Sequence, residues 1–206
     1  MKNISFLVAG VGGQGTLLAS DILAEVGMEA GYDVKKSDVL GLAVRGGSVL
    51  SHVRWGEKVA SPVVRKGDMD YLLAFEPLEA MRGVEFLHSN STIVVNTKEI
   101  PPASVSSGSA SYPSKNQIEE ILRNTAKAVH FVDAARVAQE TGNLKVTNVV
   151  MLGAFSTLLD VPPERWKDVI LKRVPAKYVE MNKQAFYAGR MLIEKEGGSY
   201  VISLRV

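Results

Sequence analysis

The sequence predicts an α/β fold: a mostly parallel sheet with flanking helices, an inserted β-hairpin, and a helical part from about residue 143 onward. Three observations predict it. A buried-type apolar run, a glycine-rich loop and an amphipathic segment follow one another at the start of the chain. Further short apolar runs then alternate with helical patterns. The last third has helical spacing almost throughout. At 206 residues the chain reads as one domain, 1–206, large enough to bury its own core without a staple.

Ile4–Ala9 is a short apolar run that stops at glycine, the profile of a central strand. Gly10, Gly12, Gly13 and Gly15, with Gln14, form a G-x-G-x-x-G loop leading into a helical pattern over Thr16–Ala30, which Gly31 stops. Asp33–Ser37 then leaves as a second strand, completing a unit of βαβ size. Ser48–Trp55 and Val59–Val64 flank a turn at Gly56 and read as the inserted hairpin, with Pro62 restricting its strand to an edge or bulge. Tyr71–Phe75 is a buried strand, Pro77 opens a helix to about Leu87, and Thr92–Asn96 is a strand again. Residues 99–112, rich in Pro, Ser, Ala and Gly, form a surface loop. Ser114 and Gln117 have capping-box spacing for a helix to about Ala128; Val129–Asp133 is a strand, and Ala134–Thr141 a helix that Gly142 ends. Helices over 148–159, 163–172 and 175–196 complete the chain.

Composition excludes several classes. There is no cysteine, so the chain supplies neither a thiolate nucleophile nor thiolate ligands for an iron–sulfur cluster. Three widely spaced histidines form no zinc pattern. A net charge of +2 gives no footprint for nucleic acid. No apolar run reaches the ~18 residues of a membrane span, and the N-terminal run leads into a folded motif rather than a signal-peptide cleavage site. A cytoplasmic location is the expectation. Charge is uneven, however. Lys35, Lys36, Arg45, Arg54, Lys58, Arg65 and Lys66 crowd one stretch, and Asp68, Asp70, Glu76, Glu79 and Glu85 the next. These are either two solvated surfaces or a basic strip beside an anion site or an acidic partner.

The glycine loop suits an anion. Small residues let backbone approach a ligand, and a helix N-terminus carries free N–H groups and about half a positive charge. Ordinary NAD binding also needs an acidic residue after the second strand. Asp33 comes too early, and Asp38 lies beyond Lys35 and Lys36, which suit the phosphate of NADP no worse. Arg45, Gly46, Gly47 and Ser48 place a cation beside flexible backbone, a combination for phosphate or carboxylate or simply a turn before a strand. Glu76 reads as a carboxylate at a helix start, Asn148 as a helix cap, His52 as a surface histidine, and Trp55 and Trp166 as either interface anchors or core.

Val11–Gly15, Lys35–Ser37, Arg45–Val49, Ser51–Arg54 and Leu73–Ala80, followed by Asn148, Leu152–Gly153 and the helix around Asn182 and Gly189, resemble the gamma-type domain of the 2-oxoacid:ferredoxin oxidoreductases. Within that family the chain is most similar to the separate small subunits of the indolepyruvate enzymes. The resemblance implies a cluster-free subunit, inactive alone. Its large partner would carry thiamine diphosphate and iron–sulfur clusters, converting a 2-oxoacid and coenzyme A to an acyl-CoA while reducing ferredoxin. It also puts Gly10, Gly12, Gly13, Gln14, Gly15 and Arg45–Ser48 at a ligand- or subunit-facing edge, with coenzyme A the leading ligand and no residue as acid, base or nucleophile. A surface made for a large partner would let the isolated chain self-associate. Two other readings compete: a free-standing NAD(P)-binding oxidoreductase, and an adenylating enzyme, which needs nucleotide- and metal-binding residues not found here.

Overall fold

The computed structural model describes residues 3–40 and 46–196. Six strands form one mixed sheet: β1 (Ile4–Val11), β2 (Asp33–Leu40), β3 (Ser48–Gly56), β4 (Met69–Ala74), β5 (Leu87–Asn96) and β6 (Ala128–Val132). Their spatial order is β2-β3-β1-β4-β5-β6. β1/β4, β4/β5 and β5/β6 are parallel; β3 is antiparallel to both β1 and β2.

Eight helices accompany the sheet among the described residues: α1 (Thr16–Glu29), α2 (Pro77–Gly83), α3 (Ala103–Ser106), α4 (Lys115–Thr125), α5 (Ala134–Glu140), α6 (Thr147–Ser156), α7 (Pro163–Lys172) and α8 (Val179–Glu196). Strand alternation divides the core in two. Phe6, Val8, Val53 and Trp55 point to the side covered by α1 and the C-terminal helices, where Phe155, Trp166 and Phe186 complete the larger cluster. Leu7 and Ala9 point the other way, toward Ala80 of α2 and Ile118 and Leu122 of α4. Both tryptophans are therefore core residues.

α6 is buried from Asn148 to Ser156, as its mostly apolar sequence requires. It lies so close to α8 that a Cβ on Gly153 would stand 2.0 Å from the Phe186 carbonyl oxygen, and one on Gly189 2.0 Å from that of Val150. Glycine at these two positions sets the helix spacing. Ser114 caps α4 in a full capping box with Gln117, as its spacing predicts.

The inserted hairpin is corrected. Ser48–Gly56 is a strand, but residues 59–64 are not its partner. β3 already has β1 on one edge and β2 on the other, so no edge remains for them. The segment runs irregularly, tied by the Val59 N–H to Asp33 Oδ2 at 2.8 Å. The crossover from β1 through α1 also skips a place, because β3 inserts between β1 and β2. β5 starts at Leu87, five residues earlier than its apolar run suggests, and α2 ends at Gly83.

Candidate functional site

The C-terminal ends of β1, β4 and β5 and the start of β3 share one edge of the sheet, where open α/β sheets bind ligands. Here the two glycine motifs meet. The Gly12 N–H donates to the Gly47 carbonyl at 2.8 Å, and the Gly46 N–H to the Gly12 carbonyl at 3.3 Å. These bonds carry the β1/β3 ladder beyond Val11 and Ser48. Gly13, Gly15 and Gly46 have φ of +104°, +78° and +77°, in the left-handed region that favours glycine. Gly10 is glycine for another reason: a Cβ there would stand 2.4 Å from Thr16 Oγ1.

The side chains of this edge turn inward. Gln14 Oε1 accepts from the Val11 N–H at 2.7 Å, and its Nε2 donates to the Phe75 carbonyl at 2.8 Å, so the amide braces the loop against β4. Ser48 donates to buried Glu79, which also pairs with Arg82 at 2.5 Å. Glu76 caps α2 through the Glu79 N–H at 3.0 Å and accepts from the Ile100 N–H at 3.1 Å and from the Tyr112 hydroxyl. Desolvation, with that hydrogen bond to a carboxylate second, holds the Tyr112 hydroxyl protonated well above its usual range. Asn96 bridges the Phe75 carbonyl and the Ala134 N–H.

What remains available for a ligand is backbone. The N–H groups of Gly12 and Gln14 are used internally, while those of Gly13, Gly15 and Thr16 have no acceptor among the described residues. They lie at the N-terminus of the 14-residue helix α1. Thr16 Oγ1 is buried beside them and has no hydrogen-bond partner among the described residues. Sequence reasoning passed over Thr16; its position directly after the last loop glycine was the available signal. Asn148 also belongs here, packed against Gly15 and accepting from the Val149 N–H at 3.0 Å within the first turn of α6. Arg45 lies outside the described residues.

His52 is not at the surface. It is 5% exposed, edge-on to Phe86, with Nδ1 unpaired among the described residues, and desolvation depresses its pKa below the ordinary value. Nor is Asp38 open to a ribose: it accepts from Ser51 at 2.6 Å and pairs with Lys36 at 2.7 Å. The insertion of β3 puts the end of β2 about 10 Å from β1 instead of about 5 Å, which removes the geometry a dinucleotide's ribose needs. A cleft of about 600 Å³ lies at the opposite edge, lined by Ser5, Arg54, Arg65, Asp68, Asp70 and His88. Residues 5–192 match the family described as pyruvate ferredoxin/flavodoxin oxidoreductase.

The chain belongs to the pyruvate ferredoxin/flavodoxin oxidoreductase family. It is 39% identical over 193 residues to the indolepyruvate oxidoreductase subunit IorB of Thermococcus kodakarensis, covering 92% of this chain and 95% of that one. The crystal structure of a keto/oxoacid ferredoxin oxidoreductase gamma subunit from Geobacter sulfurreducens superposes with a TM-score of 0.68 at 25% identity, covering 95% and 99% of the two chains. The fold also matches 32% of a longer chain, the 2-oxoglutarate:ferredoxin oxidoreductase of Magnetococcus marinus, solved with 2-oxoglutarate, coenzyme A and succinyl-CoA bound (TM-score 0.73, 20% identity, 95% of this chain). Oxidoreductase-family chains thus use this fold both as a separate subunit and within a longer polypeptide.

Proposed function

We propose that this chain is the small, cluster-free subunit of an indolepyruvate-type 2-oxoacid:ferredoxin oxidoreductase, working in the cytoplasm. Its 39% identity, over nearly the full length of both chains, to an indolepyruvate oxidoreductase subunit carries that reading. The larger partner would hold thiamine diphosphate, which supplies an electron sink when bound, and the clusters that would pass electrons to ferredoxin. The donor set of this chain does not fit a cluster. It has no cysteine, and no group of three His, Asp or Glu side chains among the described residues could hold a metal.

The chain's own contribution is an anion-binding edge. The N–H groups of Gly13, Gly15 and Thr16, the Thr16 hydroxyl and the positive end of α1 suit a phosphate of coenzyme A. Gly10, Gly12 and Gln14, with Gly46, Gly47 and Ser48, hold that backbone in place. Arg45 is the cation proposed to join them. This edge binds and orients; it transfers no proton. Its test is a Thr16→Val substitution in the assembled enzyme. KM for coenzyme A should rise roughly tenfold, the loss of one hydrogen bond to a charged group, with little change in kcat. An unchanged KM would assign the edge to packing alone.

A further inference from the structure

We infer, resting on the anion edge proposed above, that the side-chain amide of Asn148 is a further donor to the anion, so that its Nδ2 touches the ligand held by Gly13, Gly15 and Thr16. Three asparagines are buried among the described residues: Asn96, Asn148 and Asn182. Two of them satisfy their nitrogen within the chain. Asn96 Nδ2 donates to the Phe75 carbonyl at 3.2 Å, and Asn182 Nδ2 to the Tyr178 carbonyl at 2.8 Å. Asn148 is 6% exposed, yet only its oxygen is used, accepting from the Val149 N–H at 3.0 Å. That bond fixes which end of the amide is nitrogen, and the nitrogen has no acceptor among the described residues. Leaving a buried amide unpaired costs free energy. Nor does α6 depend on Asn148 as its cap. The helix continues from a 3₁₀ turn over Leu144–Val146, its N-cap is Val146, and Val149 to Phe155 are all apolar or glycine.

The unpaired nitrogen faces the glycine loop. A Cβ placed on Gly15 would meet Asn148 Nδ2 at 2.8 Å, with Cγ behind it at 3.3 Å, so any side chain there would occupy the space between the amide and the loop. Gly15 is the left-handed N-cap of α1, and its N–H, like those of Gly13 and Thr16, has no acceptor among the described residues. Thr16 Oγ1, buried and unpartnered among them, lies on the Gly10 side of the same loop. Asn148 Nδ2 thus joins a set of donors with no acceptor of the chain between them. Such a set suits the oxygens of a phosphate or a carboxylate, each of which accepts several hydrogen bonds. The donors are all neutral, so they orient the anion, while the positive end of the 14-residue helix α1 supplies the favourable field. Asn148 contributes from a different helix, α6, which packs against α1. The ligand is therefore held between two helices rather than by one loop alone.

The test compares wild type, Asn148→Asp, Asn148→Ala and Thr16→Val in the assembled enzyme, measuring KM for coenzyme A and for indolepyruvate, with thermal melts of the purified chain beside them. Asn148→Asp keeps the oxygen that accepts from Val149 and replaces the donor by a carboxylate facing the site. Its KM for coenzyme A should rise about a hundredfold, through like-charge repulsion. In Asn148→Ala the rise should be about tenfold, the loss of one donor to a charged group. The melting midpoint of Asn148→Asp should not fall, because the new carboxylate meets free N–H groups at a helix start. A residue that serves only α6 predicts the reverse order, with Asn148→Asp near wild type and Asn148→Ala the poorer. That order, or an Asn148→Asp midpoint well below wild type, would overturn the inference, while a raised KM in Thr16→Val leaves the anion edge standing. A rise in KM for indolepyruvate in place of coenzyme A keeps Asn148 as a donor and makes the anion the carboxylate of the oxoacid. If neither Thr16→Val nor the Asn148 variants change either KM, the anion edge and this inference fall together.

Discussion

At the scale of single residues, the site depends on a few positions where only one side chain serves. Gly15 combines a φ of +78° with a Cβ position 2.8 Å from Asn148 Nδ2. Gly15→Ala must strain the backbone by about 1–2 kcal/mol and push Asn148 aside. The thermal midpoint should drop by several degrees, on the order of 2–4 °C per kcal/mol at this size; an unchanged midpoint would mean that the loop relaxes freely. His52 gives a pH signature. Because burial lowers its folded pKa, the unfolded chain binds more protons in the window below about pH 6.5. Its contribution to stability is complete above that value and is lost as pH falls, by up to about 1.4 kcal/mol per pH unit. Urea unfolding at pH 7.0 and 5.5 should show a larger loss for wild type than for His52→Leu. Equal losses would assign the acid sensitivity to other groups.

At the scale of elements, the glycine edge is held by a buried polar frame. Glu76 joins α2 to residues 97–113 through the Ile100 N–H and the Tyr112 hydroxyl. Both of these bonds fall on Oε1, while the cap to the Glu79 N–H uses Oε2. In Glu76→Ala, which removes both oxygens, the Ile100 amide should exchange with deuterium roughly tenfold faster, the loss of about one hydrogen bond. An unaltered rate would show that the segment is fixed by other contacts. The sequence made local parts of this legible: the capping box at Ser114, the helix opening at Pro163, the glycine loop and the cap at Glu76 all depend on neighbours a few residues apart. Strand partnership does not. Val59–Val64 looked like the partner of Ser48–Trp55 because it is near in sequence, but β2 and β1 occupy both edges of that strand. His52 looked exposed for the same reason, since Phe86, which covers it, comes from a distant connection. The inward turn of Gln14 and Ser48 onto Phe75 and Glu79 also requires knowing that β4 lies beside β1.

At the scale of the whole molecule, the chain is a mixed six-stranded sheet between two cores, with the edge proposed to bind an anion at the start of α1. Its larger core lies beneath α1 and the C-terminal helices, and its smaller core beneath α2 and α4. The central claim is tested most directly by anaerobic reconstitution from separately purified subunits, following ferredoxin reduction with indolepyruvate and coenzyme A. The account predicts no turnover from this chain, little from the larger subunit, and full activity at a one-to-one ratio. Turnover of a nicotinamide nucleotide by this chain alone, or full activity of the larger subunit without it, would contradict the account.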